Sequence, residues 1–294
     1  MKWILYILLC LIWGSSFILM KEGLVSLTAF EVAALRMLAA GLVSIPFAYR
    51  SSREISKKQL RYSILTGILG SYLPAIFFCI AQTKIDSALA GMLNALTPLF
   101  VLLIGAAFFK LPLIKGKLIG ILIGFAGMIV LFMKQTGSFH FEELPYLLIV
   151  VVATICYGVN VNIANRHLQG VRPLAIASVA FTFLIPLSLI LLWTEGFFNY
   201  AMTDNKILIS VASSSFLGIT GTALATVLFY MLMKKAGPLF SSMVTYGIPF
   251  VAVAWGFIYG EVITILQLFG LLVILTGVYV VNSVKSGPEN KSSD

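Results

Sequence analysis

Apolar runs close to twenty residues long alternate along the chain with short stretches that carry most of its charges. A membrane-spanning helix needs about 20 mainly apolar residues. The runs divide into ten such segments: 3–20, 29–49, 62–82, 87–109, 116–133, 144–165, 172–193, 207–232, 237–259 and 265–282. Few show a polar stripe at helical period, so these helices are expected to be apolar nearly all round. No connection is long enough to house a soluble domain, and the polar tail 284–294 is expected to fray. The pattern predicts an all-α integral membrane protein with ten transmembrane helices.

Composition agrees with that picture. The 294 residues are 60% hydrophobic and only 11% charged, against roughly 25% charged in a soluble domain. Too few polar residues exist to cover a water-facing surface. The net charge of +9 would suggest nucleic acid on a soluble protein. Here it reads as topology, because cytoplasmic loops carry excess Lys and Arg. With the N-terminus inside, fifteen of the 20 Lys and Arg fall in inner loops, four in outer loops, and Arg36 within a span. Both termini are therefore expected in the cytoplasm, with lipid and a small molecule as partners and no nucleic acid.

Other chemistry is sparse. Cys10, Cys79 and Cys156 lie in apolar runs without metal-ligand spacing, and His140 and His167 are placed in separate loops. Neither a cofactor nor a metal is expected. The first run has no small-x-small cleavage site and is read as a permanent span.

The chain also repeats itself. Gly67, Gly70, Phe78, Pro98 and Gly105 each lie 151 positions before Gly218, Gly221, Phe229, Pro249 and Gly256. After a one-residue gap, Gly120 and Gly127 lie 150 before Gly270 and Gly277, and Trp13-Gly14 lies 144 before Tyr157-Gly158. Glycine and proline carry the register, and they set close packing and bends rather than mere apolarity. Repeats over 1–136 and 137–283, with five spans each, enter the membrane in opposite senses. Inverted repeats of this kind place a binding site near the bilayer midplane between the halves.

These residues resemble the ten-span EamA-type members of the drug/metabolite transporter superfamily, over 3–282. The resemblance is carried by Trp13-Gly14-Ser15-Ser16-Phe17, Arg36, Pro98, Pro249, Gly260-Glu261, Gln267-x-x-Gly270 and Gly277. It implies secondary transport, commonly efflux, of small metabolites, amino acids or drugs. One departure stands out. The first-half position equated with Glu261 is Lys110, where the family usually carries a second acidic residue. Lys110 and Glu261 are thus candidate gates of unequal chemistry.

Arg36 lies about seven residues inside its span, roughly 10 Å deep at 1.5 Å per residue. Such a charge costs about 2.5–3.5 kcal/mol at a helix centre, so it faces a cavity, meets a partner or snorkels. As a cavity residue it would pair with an anionic group such as a carboxylate. Glu31, five residues away, is on the wrong side of the helix to neutralise it. No carboxylate lies near midplane, which leans toward exchange or facilitated movement rather than a deep proton relay.

The remaining cavity candidates are Trp13, Ser16, Gln82, Asn94, Tyr157, Asn160 and Tyr246. Buried polar groups must find partners inside the bundle, where they bind substrate or tie helices together. Asn160 and Asn162, 200° apart, cannot both face one cavity. Pro98 and Pro249 are candidate hinges or static bends. Gly120-x-x-x-Gly124 permits close helix contact, within one protomer rather than between two. No catalytic residues are assigned.

The expected function is alternating-access transport of a small organic metabolite by a monomer or weak homodimer, outward, across a bacterial inner membrane. A lipid or lipid-linked sugar translocator and a non-transporting assembly partner remain alternatives.

Overall fold

The structure, a computed structural model, describes residues 2–51, 55–111, 113–133 and 142–284. Arg53, Lys134, His140 and the tail beyond Val284, which entered the loop and charge expectations, lie outside the described residues.

Every regular element among the described residues is helical. In chain order these are α1 (Lys2–Gly23), α2 (Ala29–Ser51), α3 (Lys57–Gly67), α4 (Leu73–Gln82), α5 (Ser87–Leu93), α6 (Thr97–Phe109) and α7 (Lys115–Leu131). They continue with α8 (Leu144–His167), α9 (Pro173–Thr194), α10 (Asn205–Leu217), α11 (Ala225–Ser242), α12 (Val244–Ile258) and α13 (Ile265–Ser283). A π-helical turn, Ile68–Tyr72, joins α3 to α4, and another, Gly218–Leu224, joins α10 to α11. A 3₁₀ turn, Asn94–Leu96, joins α5 to α6.

Among the described residues, eight stretches are long and apolar enough to cross a membrane: 2–23, 29–51, 57–82, 87–109, 144–167, 173–194, 205–242 and 265–283; α12 is a shorter apolar helix. Large side chains such as Phe108, Ile190, Trp193, Leu272 and Tyr279 are exposed around the bundle, a surface suited to lipid.

Most sequence segments coincide with helices, with one change of boundary. The expected gap between 207–232 and 237–259 is helical on both sides of a single break. Gly237 (φ 83°, ψ 166°) turns the chain just before Pro238, in a conformation that glycine adopts without penalty. His167, expected in a loop, is the last residue of α8 and stacks on Tyr62, with ring centroids 4.0 Å apart.

Helix starts follow local chemistry. Ser56 with Gln59, and Thr264 with Gln267, form reciprocal capping boxes before α3 and α13. Thr28 and Glu31 make the same exchange at α2, where the Glu31 carboxylate accepts from the Thr28 N–H at 2.8 Å. That carboxylate also accepts from the Tyr200 hydroxyl at 3.3 Å.

The packing is reciprocal between the two halves. α1 packs on α12 as α8 packs on α6, and α11 packs on α1 as α4 packs on α8. α3 lies against α9 as α10 lies against α2, while α2 meets α9 and α7 meets α13 directly. Glycine makes the last contact close. A Cβ on Gly277 would strike the backbone of Gly120 and Gly124, and one on Gly127 would strike the backbone of Gly270 and Ile274. The small residues of α7 therefore pack within the chain.

Candidate functional site

The two π turns sit at the same place in the repeat, since Ile68–Tyr72 shifted by 151 falls within Gly218–Leu224. A π turn holds one residue too many for the α ladder and releases a carbonyl from it. Trp13 of α1 uses that opening, its indole N–H donating to the Gly221 carbonyl at 2.9 Å. Gly70 and Gly221 then let equivalent neighbours approach. A Cβ on Gly70 would overlap the Asn160 amide, and one on Gly221 would lie 2.8 Å from the Ser16 hydroxyl.

Between these contacts lies a cavity of about 840 Å³ of atom-free space, counted with its opening to solvent. Trp13, Ser16, Phe17 and Met20 of α1 line it with Arg36 of α2, Gly70 and Ser71 of the first π turn, and Phe78 of α4. Asn94, Thr97, Tyr157, Asn160, Val161, Gly221 and Thr222 continue the wall, which Thr226, Phe229, Tyr230, Ser242, Thr245 and Ile248 complete. The offsets of the repeat pair many of these positions: Trp13 with Tyr157, Ser16 with Asn160, Ser71 with Thr222, Phe78 with Phe229, and Asn94 with Thr245.

Arg36 is among the lining residues outside that pairing. A Cβ on Gly67 would touch Ala180, while one on the equivalent Gly218 would touch the Arg36 backbone. Ala180 is thus the counterpart of Arg36, and among the described residues Arg36 is the one charged side chain on the cavity wall. It is 8% exposed. Its Nε donates to the Thr222 hydroxyl at 2.6 Å, and Nη1 approaches the Met20 sulfur at 3.7 Å. No carboxylate among the described residues forms an ion pair with it.

Six of the eight cavity candidates named from the sequence line this space: Trp13, Ser16, Arg36, Asn94, Tyr157 and Asn160. Gln82 and Tyr246 do not. Gln82 stands one turn beyond Phe78, behind Met20, whose sulfur its amide approaches at 3.8 Å. Tyr246 is turned 100° from the lining Thr245, and its hydroxyl accepts from the Asn282 amide at 2.6 Å. Asn162 ties helices together instead, donating to the carbonyls of Val101 (2.8 Å) and Gly158 (2.9 Å). Sequence reasoning missed Ser71, Thr222, Thr226 and Tyr230. The same 151-residue offset, carried from the glycines to their neighbours, would have pointed to Ser71 with Thr222.

The halves also meet at one end of the bundle. Glu261, in the loop before α13, accepts from Lys21 Nζ (2.7 Å), the Ser87 hydroxyl (2.6 Å), the Ser87 N–H (3.0 Å) and the Ala88 N–H (2.9 Å). Its carboxylate therefore caps the start of α5 and joins it to α1. Burial pulls the carboxyl pKa upward, but the bonds from Lys21, Ser87 and Ala88 outweigh this and hold it below the usual glutamate value. At Asp86 nearby, burial and then the Glu261 charge push the pKa up, against the pull of Lys21.

Lys110 directly follows α6, at the end of its span as expected. It is exposed and sits in the left-handed region, φ 59°. The residue with matching backbone is Gly260, φ 72°. The Gly105 carbonyl accepts from the N–H groups of both Lys110 and Leu111, and the Gly256 carbonyl from the Glu261 N–H. Side chains agree, since Leu111 backs Gly105 as Glu261 backs Gly256. The one-residue gap thus falls before Lys110, and Leu111 is the structural counterpart of Glu261. The candidate hinges also differ: Pro98 opens α6 behind the 3₁₀ turn, whereas Pro249 lies inside α12.

Apolar helices around an internal, partly polar cavity define a multi-pass membrane protein. The EamA-like transporter family matches residues 1–133 and 144–283. The chain belongs to that family, within the drug/metabolite transporter superfamily, and is an integral membrane transporter. It is 25% identical to an uncharacterised transporter of Archaeoglobus fulgidus, covering 95% of this chain and 98% of that one. It is also 25% identical to a probable amino-acid metabolite efflux pump of Salmonella typhimurium (94% and 93% covered), and 24% identical to a pump of the same description in Escherichia coli (94% and 93%). A known crystal structure, 20% identical, superposes with a TM-score of 0.63 over 95% of this chain and 96% of that one. That likeness concerns the fold alone.

Proposed function

We propose that this transporter has ten spans arranged as two inverted five-helix repeats, with both termini in the cytoplasm of a prokaryotic cell. It moves a small organic metabolite outward by alternating access. The observation that carries this reading is the cavity itself, walled by equivalent positions of the two halves and holding polar groups amid apolar helices. The break at Gly237 supports the ten-span count, because it divides a 38-residue helical stretch that would span about 57 Å if straight. The reciprocal packing and the matched π turns support the repeat. Loop charge assigns the Glu261 end to the outside, where the Lys21–Glu261–Ser87 contacts would form the outer gate, with Leu111 at the inner one.

The relatives described as amino-acid metabolite efflux pumps support both the substrate size and the outward direction. The test is a comparison of metabolite pools between a deletion strain and an overexpressing strain. Counterflow in reconstituted vesicles follows for the compounds that change. A small metabolite retained by the deletion strain, released by the overexpressor and carried in vesicles is the expected result. Unchanged pools with no flux overturn the reading.

A further inference from the structure

We propose that the cavity selects small carboxylates of net charge −1 or zero, seats the carboxylate on Arg36, and rejects molecules of net positive charge. This rests on the transporter reading and adds the substrate class.

The first argument is charge. An arginine stays protonated in a protein, and a buried ion without a partner costs several kcal/mol. Arg36 lines the cavity with a hydroxyl and a thioether as neighbours and no ion-paired carboxylate. The guanidinium carries five N–H donors, of which two are directed at Thr222 and Met20. The others remain for a ligand. A planar carboxylate matches that fork and supplies the missing charge.

The second argument counts donors and acceptors. The Asn160 amide oxygen already accepts from the Tyr230 hydroxyl at 3.4 Å, while the Thr97 hydroxyl beside Asn94 gives its proton to the Asn94 backbone carbonyl at 2.9 Å. The Asn160 NH₂ group is left as a donor lining the same space as Arg36, and the Asn94 amide adds a second polar group there. A carboxylate is acceptor-only when ionised, so it satisfies such a site, whereas an ammonium does not. Among the described residues, no acidic side chain lines the wall to neutralise a cation. An ammonium beside a carboxylate is tolerated, because the Ser16 and Thr245 hydroxyls donate to their own helices and keep oxygen lone pairs free. Aromatic walls then accept an apolar body.

The test uses purified protein in detergent and four probes on one phenyl frame: 3-phenylpropanoate, phenylalanine, 3-phenylpropanamide and phenethylamine. Binding is read by calorimetry and by thermal shift. The two carboxylates are expected to bind roughly tenfold or more tightly than the amide and the amine. Arg36→Gln should abolish that preference, and Arg36→Lys should retain part of it. The wild-type comparison stands even if a variant does not fold. Phenethylamine binding as well as 3-phenylpropanoate, no binding by any of the four, or a preference that survives Arg36→Gln each overturns the proposal. Failure is separable from that of the transporter reading. Pools that shift only in amines sink the substrate class and leave transport standing, whereas unchanged pools without flux sink transport itself.

Discussion

At one end of the bundle, the Glu261 carboxylate gathers donors from Lys21, Ser87 and Ala88. The repeat places Leu111, Asn165 and Pro238 at the equivalent positions of the other end. Leu111 turns back on Gly105 much as Glu261 turns back on Gly256. The chemistry differs. Leucine accepts no hydrogen bond, asparagine carries no charge, and proline has no N–H to offer. Under the proposed repeat, the two ends thus carry contacts of different strength, one charge-assisted and the other apolar. The same contrast recurs at the cavity, where Arg36 answers Ala180.

The largest expected effect comes from removing Glu261. Its carboxylate is buried with four bonds, so Glu261→Ala should destabilise the closed form by about 3–5 kcal/mol, the usual cost of breaking a buried charged contact. Leu111→Ala, at a residue 38% exposed, should cost about 1 kcal/mol. Thermal unfolding in detergent measures both, and equal losses would erase the difference between the ends.

Next in size is Lys21→Met. Lys21 is 40% exposed, and exposed ion pairs contribute roughly 0–1 kcal/mol. The variant should therefore lose about 1 kcal/mol or less while the Ser87 and Ala88 amides keep the carboxylate in place. A loss as large as that of Glu261→Ala would make the ion pair, and not the helix cap, the centre of the closure.

The pH dependence has a definite sign. Glu261 has a lowered pKa in the folded protein. Its contribution is then complete above the ordinary glutamate value of 4.5 and is lost as pH falls through the lowered one. The difference in melting temperature between wild type and Glu261→Gln should stay flat from pH 8 to 5 and shrink only in more acid solution. A difference that shrinks already between pH 7 and 6 would contradict the capped carboxylate.

Much of this was legible in the sequence because membranes impose a coarse rule. Apolar runs must become helices, and the glycine register equates positions that line one cavity. Arg36 was legible because a lone charge in an apolar run demands a reason. Rotation about a helix axis was harder to read. Thr245 and Tyr246 are neighbours in sequence, yet one faces the cavity and the other faces Asn282. Gln82 shares a face with Phe78 but stands a turn too far along. The π turns were not legible, since an inserted residue leaves the apolar pattern unchanged while shifting every later side chain. The equation of Lys110 with Glu261 failed by one residue for a similar reason. Loop register depends on a positive φ at Lys110 and Gly260, which composition does not encode.

The smallest expected effect is the most discriminating. If the difference between the ends were only a matter of charge, the double variant Leu111→Glu, Asn165→Lys would transplant the strong closure to the weak end. The helix cap argues otherwise. Glu261 takes half of its bonds from backbone N–H groups, and the residue equivalent to Ser87 is Pro238, which has neither an N–H nor a hydroxyl. The transplanted carboxylate would meet a lysine in a half-exposed setting and little else. Such a pair should add no more than about 0.5 kcal/mol, read as a melting shift close to zero relative to the two single variants. Adding Pro238→Ser to the pair restores both missing donors and should raise the coupling measured in a triple-variant cycle. A double variant already as stabilised as the natural closure would show that charge alone separates the two ends.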